Sequence, residues 1–356
     1  MKKIDIVLLI VVILLTFFGL LMIYEASSYV AFRDFADKYH YIKDQLMWVG
    51  LGFSGLIFFT LFDYHKLYNL SLPLLLGTIL LLFLVFIPGI GVYALGAHRW
   101  INLKLFVLQP TELIKPVFAI YLAAWFSNKE RGRFLAFALI MGFVFFLIML
   151  EPDMGTAGIV LLQGLVVYFL SGGNILYFIS SIPVIGFLVF LLIKLEPYRA
   201  QRLSTFLDPN SSLMTSSYHV RQILISLGMG GLTGVGLGNS LQKYAYLPET
   251  TTDSIFAIIA EEFGFVGSVI FIFLLAVVVW RGFLIGGRAK DTFGRLLAGG
   301  LISFLAIQMI INLGAQTMLI PLTGVPLPFI SYGGSALIMN LCSIGILLNI
   351  SRQGNH

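Results

Sequence analysis

The sequence predicts an all-α polytopic membrane protein: about ten transmembrane helices, with one large extracytoplasmic loop between the seventh and eighth. Three observations carry that reading. Of the 356 residues, 59% are hydrophobic and 11% charged, too few polar groups to cover a soluble domain. Apolar runs near the length needed to cross about 30 Å of hydrocarbon recur from end to end. Basic residues also gather on one side of the topology those runs define.

Met1-Lys2-Lys3 and the apolar run to Ile23 resemble a secretory signal at first sight. The run is longer than a signal core of about 7–15 residues and no small-residue cleavage site follows, so it reads as a retained first span. Spans are expected at 4–23, 44–62, 67–87, 110–126, 134–150, 156–170, 174–194, 254–280, 293–319 and 329–350. With the N-terminus in the cytoplasm, the cytoplasmic segments carry eleven basic residues, among them Lys2, Lys3, Lys129, Arg131, Arg133, Arg281 and Arg288. Against these stand Asp5, Asp63, Glu130 and Asp291. Net charge is then +7 inside and −1 outside, as short loops require. An even number of spans returns the C-terminus to the cytoplasm, and residues 88–109 and 195–253 face outward. The chain, 1–356, reads as a single integral-membrane domain with 195–253 as its one large extramembrane element. The overall charge of +5 encodes orientation and is no sign of nucleic-acid binding. Cys342 is the single cysteine, so no intramolecular disulfide forms.

The outer segments hold the chemistry-bearing residues. In "YRAQRLSTFLDP", Arg199 and Arg202 stand three apart, on one side of a helix. A pair of arginines snorkelling to head groups explains them as well as a binding role does. "YHVRQILISLGMGG" places Val220, Ile223, Leu224 and Leu227 on one stripe, with Arg221 and Gln222 on the polar side. That is an interfacial amphipathic helix, floating on lipid or covering a cavity. The run "GMGGLTGVGLGNS" has neither G-x-G-x-x-G register nor a following Gly-Lys-Ser/Thr. It reads as flexible backbone that allows close approach, to a ligand among other things.

"YLPETTTDSIFAIIAEEFGF" then sets four acids around the start of the eighth span: Glu249, Asp253, Glu261 and Glu262. Pro248 breaks any preceding helix, and the Thr-Thr-Asp-Ser run supplies N-cap chemistry. Asp253 is thus either a good cap or a functional carboxylate. Glu261 lies about 12 Å deeper, and Glu262 points about 100° away from it. A charge inside a span costs about 2.5–3.5 kcal/mol on insertion scales, so such residues face a partner or a wet cavity. "QPTELIK" repeats the pattern: Glu112 and Lys115 form an i, i+3 pair, with Pro110 in the first helical turn. A polar cavity opening outward accounts for these groups together. A carboxylate at its mouth can serve as general base, and nearby arginines suit phosphate or pyrophosphate. Zinc-protease and nucleophile-elbow motifs are absent, and the five histidines are scattered.

"LGAHRWINL", "QPTELIK", "EPDMGTA", "YRAQRLSTFLDP", "GVGLGNSLQKYAYLPETTTDSIFAIIAEEFGFVG" and "PLPFISYGGSA", in that order, resemble the SEDS proteins, the shape, elongation, division and sporulation proteins of bacteria. The resemblance runs from about Leu95 to Arg352, and "GLGNSLQKYAYLPE" is closer to the FtsW-like branch than to the RodA-like one. It implies a multi-pass protein of the bacterial cytoplasmic membrane that polymerises lipid II into β-1,4 glycan strands at the outer face. The undecaprenyl-pyrophosphate-linked glycan is the donor. It implies Asp253 as the catalytic carboxylate, a general base, and Glu112 and Lys115 as a buried pair. Arg199, Arg202 and Arg221 become candidates for holding the pyrophosphate, Lys243 for binding substrate, and Glu261 and Glu262 for shaping the cavity. A class B penicillin-binding protein and the division or elongation machinery are the implied partners. No cofactor is implied with certainty; a divalent cation on the pyrophosphate stays open, since no ligand spacing is diagnostic. Four positions depart from the family pattern: Thr251 replaces a histidine, Ser254 a phenylalanine, Glu25 a serine and Lys104 a glycine. Two other functions fit the composition: a flippase for the same lipid, which needs ionisable groups near the midplane, and a non-catalytic scaffold for a transpeptidase.

Overall fold

The computed structural model describes residues 4–94, 96–103, 107–128, 134–208, 215–244, 247–248 and 250–354. Ten long helices coincide with the ten expected spans: α1 (Ile6–Phe35), α2 (His40–Leu61), α3 (His65–Leu84), α4 (Pro110–Ser127), α5 (Phe134–Leu150), α6 (Met154–Leu170), α7 (Ile175–Leu195), α10 (Ile255–Gly287), α11 (Thr292–Gln316) and α12 (Gly334–Gln353). Seven of them are long and apolar enough to cross a membrane by length and composition. Two further helices, α8 (Pro197–Leu207) and α9 (Thr215–Gly230), fill the large loop.

The ten helices alternate in direction, so the described chain has a terminal end and a loop end. At the terminal end, Asp5 caps α1 through Leu8 N and takes a bidentate bond from Arg281, with Nε–Oδ2 at 2.9 Å. Asn349 of α12 bridges Thr60 O and Tyr64 N across the α2–α3 turn. At the loop end lies a small antiparallel sheet absent from the sequence reading: β1 (Gly91–Ala94), β2 (Ala97–Asn102) and β3 (Val107–Leu108), in that order. Gly96, at φ +79°, turns β1 into β2, and Ala97 and Ile101 of β2 face inward. Arg99 ties the sheet to the α5–α6 turn by donating to the carbonyls of Glu151 and Pro152, at 2.9 and 2.7 Å.

The core sits around α11, which packs on α4, α6 and α10 and, with α12, buries most of its length; α7 buries none. Helix α1 runs to Phe35, well past the expected end at residue 23, so Glu25 is helical.

Helix α10 is broken at Gly264, whose φ is +65° and ψ −165°. The break frees backbone groups, and the glycine-rich segment pairs with them. Val235 N and Gly236 N donate to the carbonyls of Glu261 and Glu262, each at 3.0 Å. Phe265 N and Val266 N donate to Gly231 O and Leu232 O, at 2.9 and 3.1 Å. The close approach expected of the glycine run is therefore made to this helix's own backbone: a Cβ on Gly264 would lie 2.2 Å from Gly234 N. Helix α9 packs alongside. Val220 and Ile223 are buried against the bundle with Leu227 half-buried, but Leu224 is 42% exposed, so the predicted stripe is rotated and α9 covers α10 instead of floating free.

Gly264→Ala must adopt a left-handed φ and displace backbone, and is expected to lower stability by more than about 1 kcal/mol. Gly287→Ala, with nothing within 4 Å of its Cβ position, should be neutral or stabilising. Thermal unfolding in detergent, followed by size exclusion, checks both.

Candidate active site

Residues 250–254 form the turn that delivers Asp253 to the start of α10, at the loop end. Nearly every residue of this turn is tied to another part of the bundle. Thr250 Oγ1 donates to Ala26 O of α1 at 3.3 Å, and Tyr332 N donates to Thr251 O at 2.8 Å. Ser331 Oγ hydrogen-bonds Thr252 O. Asn312 Nδ2, from α11, donates to Asp253 O at 3.0 Å. The Asp253 carboxylate itself is half-buried, accepts from Thr252 Oγ1 at 3.1 Å, and lies beside Gly324 of the α11–α12 loop. Gly324 has φ +74°, and a Cβ there would sit 3.8 Å from Asp253 Oδ2.

The expected cap is met in position only. Ser254 is the N-cap residue of α10, yet its hydroxyl makes no capping bond. It meets His219 Nε2 of α9 at 2.7 Å. The amide of Ala257, which donates to Ser254 O at 3.1 Å, is shared with Gln316 Oε1 of α11, at 2.8 Å.

Gln316 belongs to a column of three buried amides, Gln308, Asn312 and Gln316, on one face of α11. Gln316 Nε2 donates to Asn312 Oδ1 at 2.7 Å, and Asn312 Nδ2 also reaches Val325 O at 2.7 Å. Gln308 Nε2 donates to Pro326 O at 2.8 Å, while its Oε1 accepts from Lys115 Nζ at 2.9 Å. Lys115, 1% exposed, pairs with Glu112 at 2.7 Å, as the i, i+3 spacing suggests. The column thus links the Glu112–Lys115 pair to both strands of chain flanking the Asp253 carboxylate.

The remaining expected residues divide. Glu261 accepts from Ser240 Oγ at 2.6 Å and Leu241 N at 3.0 Å, closing the glycine-rich segment on α10. Lys243, expected to bind substrate, is buried: its ammonium lies 2.9 Å from Glu25, 2.5 Å from Gly238 O and 3.8 Å from Glu262. Its charge is neutralised inside the bundle, and Glu25, one of the family departures, supplies the partner. Arg199 Nη1 donates to Leu192 O in the last turn of α7, at 3.0 Å. Arg202 Nη1 donates to Leu322 O, at 2.8 Å, on the same α11–α12 loop that flanks Asp253. Arg221 is half-buried on α9. Burial, and then the charge of Arg202, holds the His219 imidazole down at about 4, so it is neutral near pH 7. Among the described residues no group of three or more His, Cys, Asp or Glu side chains is arranged to hold a metal ion. Glu249, Lys104 and the loop charges Lys2, Lys3, Lys129, Glu130, Arg131 and Arg133 lie outside the described residues.

Sequence reasoning missed the amide column and His219. The column had a readable signal, three amides at i, i+4 and i+8 inside an apolar span; His219 had none.

Comparison with known proteins assigns the chain to a family. A family model described as cell cycle protein, covering FtsW, RodA and SpoVE, matches residues 5–356. The chain belongs to that family, the SEDS proteins. It is 39% identical to stage V sporulation protein E of Bacillus subtilis (strain 168), over 99% of this chain and 98% of that protein. It is 38% identical to the probable peptidoglycan glycosyltransferase FtsW of Geobacter sp. (strain M18), over 98% and 97%. The fold matches a chain from a solved peptidoglycan synthase complex, with TM-score 0.82, 27% identity and 99% and 98% coverage. It also matches the rod shape determining protein RodA of Thermus thermophilus, with TM-score 0.74, 25% identity and the same coverage. The higher identities fall on the FtsW and SpoVE side, as the loop motif suggested.

Asn312→Ala leaves Asp253 O, Val325 O and Gln316 Nε2 without this partner, and each buried orphan costs about 1–3 kcal/mol. Asn312→Asp keeps the volume but donates nothing and should be no better. A melting-temperature loss in both, larger than for Gly287→Ala, is the expected result; full stability of Asn312→Asp would show that donation is irrelevant.

Proposed function

We propose that this SEDS protein is a peptidoglycan glycosyltransferase that polymerises lipid II, with Asp253 as general base. The observation that carries this is the Asp253 carboxylate held at the loop end beside a chain segment that also anchors Arg202. The acceptor's sugar 4-hydroxyl gives its proton to Asp253 as its oxygen attacks the donor's anomeric carbon. The bond from that carbon to the lipid pyrophosphate breaks, the pyrophosphate leaves with the electron pair, and the carbon inverts to a β-1,4 linkage. Arg202, with Arg221 and Arg199 on the same α8–α9 arm, offsets the charge on the departing pyrophosphate. A divalent cation recruited with the pyrophosphate would serve the same end.

The positive-inside charge pattern supports a single-domain chain with both termini in the cytoplasm and the loop end on the outer face of the cytoplasmic membrane. Likeness to FtsW and SpoVE supports a role in division or sporulation, and likeness to a peptidoglycan synthase complex supports a class B penicillin-binding protein as partner. A flippase reading would draw on Glu112, Lys115, Glu261 and Glu262; the first three are engaged with one another or with neighbouring groups, while the buried Glu262 carboxylate lies 3.8 Å from Lys243 without a hydrogen-bond partner among the described residues.

The test is glycan polymerisation from purified lipid II, with the cognate transpeptidase present. Asp253→Asn should lose about 100-fold or more, the usual weight of a positioned base. Arg202→Ala should lose less. Undiminished polymer from a folded Asp253→Asn protein overturns the assignment.

A further inference from the structure

His219 is unexplained by anything above. It projects from α9 and meets the hydroxyl of Ser254 at 2.7 Å, Nε2 to Oγ. Ser254 is buried, follows Asp253 directly, and starts α10 without using its side chain to cap the helix. At its C-terminal end α9 is already fixed on α10, where Gly230 packs on the Ala260 backbone and residues 231–236 hydrogen-bond the backbone around Gly264; the His219–Ser254 bond is the directed contact at the opposite end of α9, next to Asp253.

We infer that His219 is a positioning residue: its hydrogen bond to Ser254 sets the register between the arginine-bearing α8–α9 arm and the start of α10 that carries Asp253. The inference rests on the reading of Asp253 and the arginines as one site, and deepens it by naming what holds the two halves together. Its geometry fits a neutral imidazole, which offers one donor and one acceptor nitrogen and can satisfy Ser254 in either sense. A charged imidazole would be opposed both by burial and by Arg202. The role is therefore to hold position and not to carry a proton. A glutamine, which also offers a donor and an acceptor at the end of its side chain, should replace it.

The experiment compares wild type, His219→Ala, His219→Gln, Ser254→Ala and the double alanine variant in the full-length protein. Two readouts are taken: hydrogen exchange of the peptide spanning residues 252–258, and lipid II polymerisation with the partner present. His219→Ala and Ser254→Ala should each lose protection in that peptide and about tenfold in turnover, with little change in half-saturating lipid II. The double variant should be no worse than either single one, and His219→Gln should keep protection and stay within about threefold of wild type. Retained protection and turnover in His219→Ala overturns the inference, as does His219→Gln falling as far as alanine. Lost turnover with retained protection also overturns it, since His219 would then act other than by position. Lost protection with unchanged turnover upholds the register bond and instead overturns the reading of the arm and Asp253 as one site.

Discussion

Three uncharged side chains on α11 constrain the rest of this molecule. Gln308, Asn312 and Gln316 are buried in the middle of an apolar bundle, where an unpaired amide costs several kcal/mol. Their partners are the backbone of Asp253, Ala257, Val325 and Pro326, together with Lys115. Those partners meet the column only when the turn at 250–254 and the α11–α12 loop lie where they do. Desolvation of the amides thereby becomes a geometric specification. A largely buried helix dictates the position of a half-exposed carboxylate at the bundle's end.

The break in α10 works in the opposite sense. Gly264 interrupts the helix and releases backbone groups that the glycine-rich segment takes up, so residues 255–263 form a short rod between two anchors. Gln316 holds one end and the glycine segment the other. Glu261 and Glu262 sit next to the break and close the same segment through Ser240, Leu241 and Lys243. These deep acids, conspicuous in the sequence, serve the scaffold that supports Asp253. Asp253 and Arg202, carried on separate elements, both lie against the α11–α12 loop.

Much of this was legible in the residue order. Apolar runs interrupted by proline, glycine and charge marked all ten long helices, and the Glu112–Lys115 spacing marked its own pair. The failures have physical causes. Helix α1 runs on because Glu25, which looks like a loop residue, is neutralised by Lys243, a partner 218 positions away that no local pattern reveals. That same pairing occupies the Lys243 ammonium inside the bundle. Strands of two to six residues are too short to show an alternation. The amide column carries no charge to mark it, although in hydrocarbon a neutral amide needs a partner almost as strictly.

The most direct measurement is a cryo-electron microscopy structure with a bound lipid-diphosphate glycan. The account predicts the diphosphate against the α8–α9 arm near Arg202, with the acceptor hydroxyl within hydrogen-bond reach, about 2.6–3.2 Å, of the Asp253 carboxylate. A diphosphate seated deep in the bundle beside Lys115, with Asp253 remote from any sugar, would contradict it.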